Sequence, residues 1–286
     1  MHTQLADDPT QRLAETLVRE RKRTTGPLFV GIAGAQGSGK TTLARDLMRR
    51  MRAKGLRTTG FSLDDLYLRR EERLRLSRRV HPLLATRGVP GTHDPALGLK
   101  LFADLRAAEA DDITPIPAFD KGIDDRMDRD RWPTHRGASD VVFFEGWCVG
   151  APPQREDELA APINRLEAEE DREEVWRRWV NRQLAEAYPP LFERLDLLVF
   201  LEIPDFDWVA RWRGQQEREL ARTRGTQATA IMDSTALLRF IAHYERLTRH
   251  MLRVMPELAW CTCRLDEHHR IVEMHFRDTP KPQSQT

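Results

Sequence analysis

The sequence lacks the features that mark several large classes of protein. It has three cysteines in 286 residues, Cys148, Cys261 and Cys263. Because an odd number of thiols cannot all pair, we expect a reducing, cytoplasmic location. No apolar run approaches the roughly 20 residues of a membrane span, and the N-terminus has no apolar secretory segment. Lysine plus arginine (46) balances aspartate plus glutamate (45), so overall charge predicts neither a nucleic-acid nor a membrane partner.

Glycine is concentrated where the sequence is most informative. An apolar run over 28–33, typical of a strand, leads into Gly34-Ala-Gln-Gly37-Ser-Gly39-Lys40-Thr41, and a helical pattern follows. This is the G-x-x-x-x-G-K-[ST] motif in the context it requires. The glycines let backbone N–H groups surround a phosphate at the N-terminus of the new helix. The motif predicts a nucleoside triphosphate site in which Lys40 reaches the phosphates and Thr41 ligates Mg²⁺.

Three carboxylates follow predicted strands. Asp64 and Asp65 follow a β-prone run over 56–63, and Glu145 ends an apolar run that begins at residue 140. Open α/β sheets keep their sites at these carboxyl ends. Either aspartate could instead cap the next helix, and so could Glu145, but an acid there is also expected to steady Mg²⁺. We therefore expect a functional pair at 64–65 and a metal-side acid at 145.

Two polar segments lie between these acids. In the first, over 80–95, Arg87 and His93 are either surface residues or anion ligands, and Asp94 with Pro95 is expected to open a helix. The second, over 113–126, is an edge strand or loop because it contains Pro115 and Pro117. It is either a solvated loop or one wall of a polar substrate pocket, with Asp120, Lys121, Asp125 and Arg126 as its ionisable residues.

The second half of the chain predicts further elements around the same sheet. Residues 154–190 read as a charged helical insert, residues 195–203 as a buried strand, and residues 260–276 as a terminal hairpin. We call residues 205–230 the lid region, because an arginine donor covering phosphates is expected there. The arginines that compete for this role are Arg211, Arg213, Arg218 and Arg222.

Together these segments resemble the D-glycerate 3-kinase family, in the P-loop kinase group that includes uridine kinase, phosphoribulokinase and bacterial pantothenate kinase. The segments that carry the resemblance run in the family's order from about residue 28 to about residue 276. They are GAQGSGKTTL, SLDDLYL, RGVPGTHD, PAFDKGIDDR, VVFFEGWCVG, IPDFDWVARWRGQQE and FIAHYERLTRHM. The resemblance implies transfer of the γ-phosphate of ATP to the 3-hydroxyl of D-glycerate, with Mg²⁺.

The resemblance also implies a fold and its divisions. The expected fold is the α/β P-loop NTPase fold, with a mostly parallel central sheet flanked by helices, a helical insert and lid, and a C-terminal hairpin. We predict an N-terminal helix within residues 1–26, a kinase domain over 27–278 and a disordered tail over 279–286.

Each matching residue inherits an expected role. Asp64 resembles the aspartate that activates the substrate hydroxyl. The implied catalytic residues are Lys40, Asp64, Asp65, Arg211 and Arg213. The implied ATP cradle is Gly34, Ala35, Gln36, Gly37, Ser38, Gly39, Lys40, Thr41 and Thr42. The implied substrate residues are Arg87, His93, Asp94, Asp120, Lys121 and Arg126, and the implied metal ligands are Thr41, Asp65 and Glu145.

Other functions remain as alternatives. A nucleoside or pantothenate kinase would share the P-loop and Asp64, but a nucleoside pocket needs an aromatic wall, and residues 80–136 offer only Phe102, Phe119 and Trp132. A nucleotide-hydrolysing switch protein is less expected, because the sequence has neither an N-K-x-D guanine signature nor an LSGGQ-like segment. The expected partner is a small molecule, and the sequence leaves the oligomeric state open.

Overall fold

The computed structural model describes residues 8–214 and 234–278. The predicted tail, Arg218, Arg222 and the lid region beyond residue 214 lie outside the described residues. Within the described part of the chain, no helix is long and apolar enough to cross a membrane.

Helices and strands alternate at the start of the chain, and groups of consecutive helices or strands follow. The strands are β1 (Leu28–Gly34), β2 (Thr58–Ser62), β3 (Ile113–Pro115), β4 (Phe119–Asp120), β5 (Asp125–Arg126), β6 (Thr134–Arg136), β7 (Val141–Gly146), β8 (Leu197–Glu202), β9 (Cys261–Leu265) and β10 (Ile271–Phe276). The helices are α1 (Pro9–Arg21), α2 (Lys40–Arg52), α3 (Arg70–Arg79), α4 (Pro95–Ala107), α5 (Arg165–Glu170), α6 (Val175–Glu186), α7 (Pro189–Phe192), α8 (207–214) and α9 (Ser234–Leu258).

A six-stranded sheet in the order β10-β9-β8-β1-β7-β2 forms the centre of the fold. Neighbouring strands are parallel from β9 to β2, and only β10 is antiparallel to its neighbour. The mostly parallel sheet and the terminal hairpin are thus as predicted. Short antiparallel pairs, β3 with β6 and β4 with β5, lie outside this sheet.

The register of the central strands gathers the site. Glu145 on β7 lies opposite Ile32 on β1 and opposite Ser62 on β2. The loop after β1 and the acids after β2 therefore begin beside the acid that ends β7. This is the carboxyl edge at which open α/β sheets place ligands.

Apolar side chains cover both faces of the sheet. All seven residues of β1 are buried, as expected of a parallel strand covered on both sides. On one face, Leu13 and Leu17 of α1 and Leu47 of α2 pack in a cluster with β1. On the other face, Phe102 of α4 contacts Phe29 and Phe144 with ring centroids 5.2 and 5.4 Å apart. Both layers hold the strand that carries the P-loop.

Two elements differ in detail from the sequence prediction. An arginine-rich run such as 69–79 is usually a solvated helix face. The run does form a helix, but Arg73 in it is only 1% exposed. The prolines at 189 and 190 predict the end of the helical insert. Pro189 does follow α6, yet it also occupies the first turn of α7. A proline fits there because the first helical N–H groups have no intrahelical acceptor.

Candidate active site

A cleft of about 560 Å³ opens at the carboxyl edge of the sheet. It is bounded by the P-loop, by the residues after β2 and β7, and by side chains from α8 and α9. Its charged lining residues are Lys40, Arg45, Asp64, Asp65, Arg87, Lys121, Glu145 and Arg213. Cations thus surround a smaller group of carboxylates, which suits an anionic ligand that also needs a metal or a base.

The P-loop has the conformation that its glycines predict. Gly39 caps α2 with φ 90°, a left-handed conformation that residues with a Cβ rarely adopt. Within the described residues, the buried Ser38 Oγ and the side-chain amide of Gln36 have no hydrogen-bond partner. Buried polar groups are rarely left unpaired without a reason, so the loop fits a phosphate ligand.

Lys40 lies inside this cradle. Its Nζ donates to the carbonyl oxygen of Ala35 at 2.9 Å. Burial lowers the pKa of Lys40, and the charges of Glu145 and Asp64 oppose that shift. The ammonium group is therefore close to two carboxylates and held against the loop that would receive a phosphate.

Thr41 and Glu145 join the P-loop to β7. The Thr41 hydroxyl donates to Glu145 Oε1 at 2.8 Å, across 104 residues of sequence. Hydroxyl and carboxylate oxygens suit Mg²⁺, which is commonly bound by one or two protein carboxylates together with substrate phosphates. In the described ranges, no group of three or more His, Cys, Asp or Glu forms a metal cage. The donor set thus fits an ion that is shared with a nucleotide.

Asp65 has a structural contact as well as a place in the cleft. Its Oδ2 accepts from the backbone N–H of Ser62 at 2.9 Å, closing a capping box over the 3₁₀ turn at Leu63–Leu66. Burial raises the pKa of Asp65 to about 6, with Asp64 and Glu145 acting in the same direction. Asp65 therefore caps the turn, which was one of the two roles open to this pair, while its carboxyl group still lines the cleft.

Asp64 points its carboxylate into the cleft between two donors. Tyr67 Oη donates to Oδ1 at 2.9 Å, and Lys121 Nζ donates to Oδ2 at 2.5 Å. Burial would raise the pKa of Asp64, but the charge and hydrogen bond of Lys121 and the hydrogen bond from Tyr67 lower it overall. The carboxylate is ionised at neutral pH and can accept a proton.

His93 supports Asp64 from behind rather than lining the cleft. Its ring stacks on Tyr67 at a centroid distance of 4.6 Å, and its Nδ1 lies 2.6 Å from Tyr188 Oη. Burial lowers the pKa of His93 to about 3. The imidazole is therefore neutral and fixes the position of Tyr67.

Arg87, from the first polar segment, is held at the cleft by two residues of the second polar segment. Its guanidinium pairs with Asp124 and lies 5.4 Å from the centre of the Phe119 ring. Its backbone carbonyl accepts from Tyr244 Oη at 3.2 Å. A Cβ on the next residue, Gly88, would lie 1.9 Å from the same Tyr244 oxygen, so only glycine permits this close approach.

The remaining predicted site residues do not line the cleft. Asp94 caps α4, accepting from the Leu97 N–H at 3.0 Å, and pairs with Arg126 at 3.3 Å. Arg126 also donates to the Tyr67 carbonyl at 2.8 Å. Asp120 accepts from the Gly122 N–H, and Arg211 lies over Trp208 at 4.5 Å. Of the predicted residues, those that line the cleft are Gln36, Gly37, Lys40, Thr41, Asp64, Asp65, Arg87, Lys121, Glu145 and Arg213. Those outside its lining are Gly34, Ala35, Ser38, Gly39 and Thr42 of the P-loop segment, and His93, Asp94, Asp120, Arg126 and Arg211.

Several cleft residues were not singled out from the sequence. Arg45 lies one helical turn beyond Thr41 on α2, and the i,i+4 spacing could have identified it. Tyr67, Trp147 and Tyr244 also line the cleft. They come from outside residues 80–136, so the cleft has more aromatic surface than that stretch alone suggested.

A second cavity, of about 980 Å³, lies on the other side of the P-loop. Residues 37–43 of the loop and α2 form one wall, and the turn between β9 and β10, with His269 and Arg270, forms part of another. The P-loop therefore separates two spaces, each with room for part of a ligand.

Comparison with known proteins finds relatives that are described as kinases. No family model matches the chain. The uncharacterized kinase mug58 of Schizosaccharomyces pombe is 33% identical over 240 residues, which are 82% of this chain and 84% of that protein. The chloroplastic D-glycerate 3-kinase of Arabidopsis thaliana is 32% identical over 199 residues, 67% of this chain but only 41% of the plant protein.

A solved structure matches over nearly the whole chain. The D-glycerate 3-kinase from Cryptococcus neoformans superposes with a TM-score of 0.77 at 25% sequence identity. The match covers 95% of this chain and 100% of the fungal one.

Proposed function

Because the chain belongs to the P-loop kinase family that contains the D-glycerate 3-kinases, we propose that it transfers the γ-phosphate of ATP to the 3-hydroxyl of D-glycerate. Membership makes it a phosphotransferase that acts on a hydroxyl group. The observation that carries the finer proposal is that one cleft is lined by Lys40 and Thr41 of the P-loop and by Asp64 and Arg87. Residues suited to the phosphate donor and residues suited to an anionic alcohol therefore line the same cleft.

Asp64 acts as the base in this proposal. The acceptor oxygen bonds to the γ-phosphorus as the bond to the β–γ bridging oxygen breaks, the hydroxyl proton passes to Asp64, and ADP leaves. Support comes from its ionised carboxylate and from Tyr67, which orients it. A positioned base of this kind contributes typically about 10²–10⁴-fold.

The developing negative charge is balanced by the opposite wall. Lys40 lies in the phosphate cradle, and Arg213 reaches the cleft from α8. Thr41, Glu145 and Asp65 would hold Mg²⁺, which when bound would neutralise further phosphate charge. Phosphoryl transfer depends chiefly on such positioning and charge, so these residues have the chemistry that the reaction needs. The second cavity, bordered by residues 37–43 of the P-loop and α2, has room for the nucleoside half of ATP.

Arg87 binds the carboxylate of the acceptor. Guanidinium and carboxylate groups pair in a bidentate way. Arg126, the other arginine expected at the substrate, has its donors directed to the Tyr67 carbonyl and Asp94, so it positions the wall instead. Lys121 holds Asp64 until the acceptor hydroxyl arrives. The predicted cytoplasmic location and small-molecule partner form part of the same proposal.

The test is ADP release from Mg²⁺·ATP with a panel of D-glycerate, L-glycerate, glycerol, uridine and pantothenate. Wild type is expected to respond to D-glycerate, and Asp64→Asn to lose about 10²–10⁴-fold in kcat while still binding ATP. Asp104→Asn is the matched control, because Asp104 pairs with Lys100 on the exposed side of α4 and lies outside the cleft.

Each alternative has its own outcome. Turnover with uridine or pantothenate would retain the kinase and reject glycerate as the acceptor. Full activity of Asp64→Asn would reject Asp64 as the base. Glycerate-independent hydrolysis alone would favour a switch protein.

A further inference from the structure

Asp124, which belongs to the PAFDKGIDDR segment but was assigned no role from the sequence, lies between two arginines. Its Oδ2 pairs with Arg73 Nη2 at 2.9 Å, and its Oδ1 pairs with Arg87 Nη1. Arg73 is 1% exposed, whereas Arg87 keeps 28% of its side chain exposed at the cleft. One carboxylate therefore links a buried guanidinium to the one that faces the acceptor.

Arg73 is fixed on every side. Its Nε donates to the Leu68 carbonyl at 3.3 Å, its Nη1 to the Ala85 carbonyl at 3.0 Å, and its Nη2 to the backbone carbonyl of Asp124 at 2.7 Å. A buried charge with these contacts needs a counter-ion and cannot easily move away from it. Arg73 thus fixes Asp124 from the protein side.

The backbone of Asp124 is also fixed. It has φ 57°, the left-handed conformation in which Asp and Asn are the least disfavoured residues with a Cβ. It lies in the turn between β4 and β5, whose paired residues are Phe119 with Arg126 and Asp120 with Asp125. The carboxylate is therefore presented from a defined turn rather than from a free loop.

The two arginines also share an aromatic surface. Arg73 and Arg87 lie 5.8 and 5.4 Å from the centre of the Phe119 ring. Two guanidinium charges and one carboxylate leave this group with one excess positive charge. The contact to Asp124 engages Nη1 of Arg87, and a guanidinium has five N–H donors. A second carboxylate on the other edge of Arg87 would make the group neutral.

On the basis of the proposed function, we propose that Asp124 is a positioning residue. It holds Arg87 against Phe119 so that the outer edge of the guanidinium faces the cleft, and through Arg87 it makes the site selective for an acceptor with a carboxylate. Preorganising a charged donor in this way strengthens binding because less ordering remains to be done when the ligand arrives.

The test compares an acid with its amide in a double-mutant cycle. Wild type, Asp124→Asn, Arg87→Gln and the double variant are assayed for kcat and KM with D-glycerate, D-glyceramide and ATP. Asparagine tolerates the backbone of residue 124. We expect wild type to prefer the acid, Asp124→Asn to reduce the acid-to-amide ratio of kcat/KM about tenfold, mainly through the KM of the acid, and the KM for ATP to stay unchanged.

The cycle separates positioning from a merely structural role. If Asp124 acts through Arg87, Asp124→Asn has no further effect on the ratio in the Arg87→Gln background. An unchanged ratio, or the same loss in both backgrounds, would overturn the proposal. If Asp124→Asn does not fold because Arg73 loses its counter-ion, the Arg73→Met and Asp124→Asn pair takes its place in the cycle.

The wild-type assay distinguishes this inference from the proposed function. If wild type uses another hydroxy acid, glycerate is the wrong acceptor, and the cycle is run with that acid and its amide. If wild type uses glycerate but the ratio is insensitive to Asp124, only this inference is wrong. An uncharged acceptor, or none among the hydroxy acids, would overturn both.

Discussion

Single side chains in this site are held in place by a second row of residues. Asp64 is oriented by Tyr67, Tyr67 stacks on His93, and His93 contacts Tyr188. Tyr188 in turn accepts from the Gly91 N–H at 2.9 Å. The orientation of the proposed base therefore depends on a chain of contacts that reaches α7.

The first link of this chain can be tested by removing one oxygen. Tyr67→Phe keeps the ring on His93 but removes the hydrogen bond to Asp64. Hydrogen bonds to a charged group contribute about 1.5–3 kcal/mol, which predicts a fall of about tenfold to a hundredfold in kcat. Tyr244→Phe is the comparison, because its hydroxyl bonds to the Arg87 carbonyl instead. An equal fall in kcat for both variants would argue against a specific effect on Asp64.

His93 gives a prediction about pH. Its folded pKa of about 3 is below the unfolded value near 6.5, so below about pH 6.5 the unfolded chain binds a proton that the folded chain does not. Stability therefore falls as pH decreases from about 6.5 towards 3. Between pH 7 and 5, we expect wild type to lose about 2 kcal/mol more than His93→Gln, which does not titrate. Denaturant unfolding at both pH values measures this, and parallel losses would contradict it.

Among the secondary-structure elements, the insert is attached to α9 by buried charges. Arg246 of α9 donates to both oxygens of Glu167 on α5, at 2.7 and 2.6 Å, and to the carbonyl oxygens of Glu158 and Ala161. Glu167 is fully buried. This arginine fixes three points of the insert on the helix that also carries Tyr244.

Breaking that pair should be costly. Glu167→Gln leaves Arg246 buried without a counter-ion, and we expect the free energy of unfolding to fall by about 3–5 kcal/mol. Arg165→Ala on the same helix is the control, since the Arg165 and Glu169 side chains are 86% and 52% exposed and such exposed pairs contribute little to stability. Chemical denaturation compares the two, and similar losses would show that the buried pair has no special role.

The elements themselves were largely predictable from local patterns. Continuous apolar runs identified β1, β7 and β8, and the Asp94-Pro95 pair identified the start of α4. The P-loop and the acid at 145 followed from motif and position. These signals are local because strand burial, capping and loop glycines depend on near neighbours in the sequence.

The unpredicted features depend on contacts between distant segments. Arg73 resembles its exposed neighbours in sequence, but the loop at 85 and the turn at 124 cover it. His93 looks like an anion ligand until Tyr67 and Tyr188 enclose it. No periodicity or motif reports such contacts, since they arise only when the segments pack together.

At the scale of the whole molecule, the two sides of the cleft differ in how deeply their backbone is buried. The P-loop extends from β1, which is hydrogen-bonded on both edges and buried along its length. The proposed acceptor side includes β4 and β5, whose four residues are only half-buried. Local opening is easiest where buried apolar contacts are few.

Hydrogen exchange should reveal this difference. We expect the backbone amides of β1 and β7 to exchange last, at rates set by global unfolding, and those of residues 119–126 to exchange early. ATP with Mg²⁺ should slow exchange at the P-loop, and acceptor should slow it at 119–126. Early exchange throughout β1 would contradict this ordering.

Because β1, which carries the P-loop, is buried and β4 and β5 are only half-buried, the two sides of the cleft differ in how freely they can change over evolutionary time. Apart from Asp124, which is the counter-ion of the buried Arg73, the residues at 119–126 contribute little to the core, so in the proposed site the choice of acceptor can drift while the phosphate-donor half stays intact. Substitutions along β1 or its P-loop threaten folding and ATP use together. A lineage built on this plan would diversify the molecules it phosphorylates far more readily than the source of the phosphate.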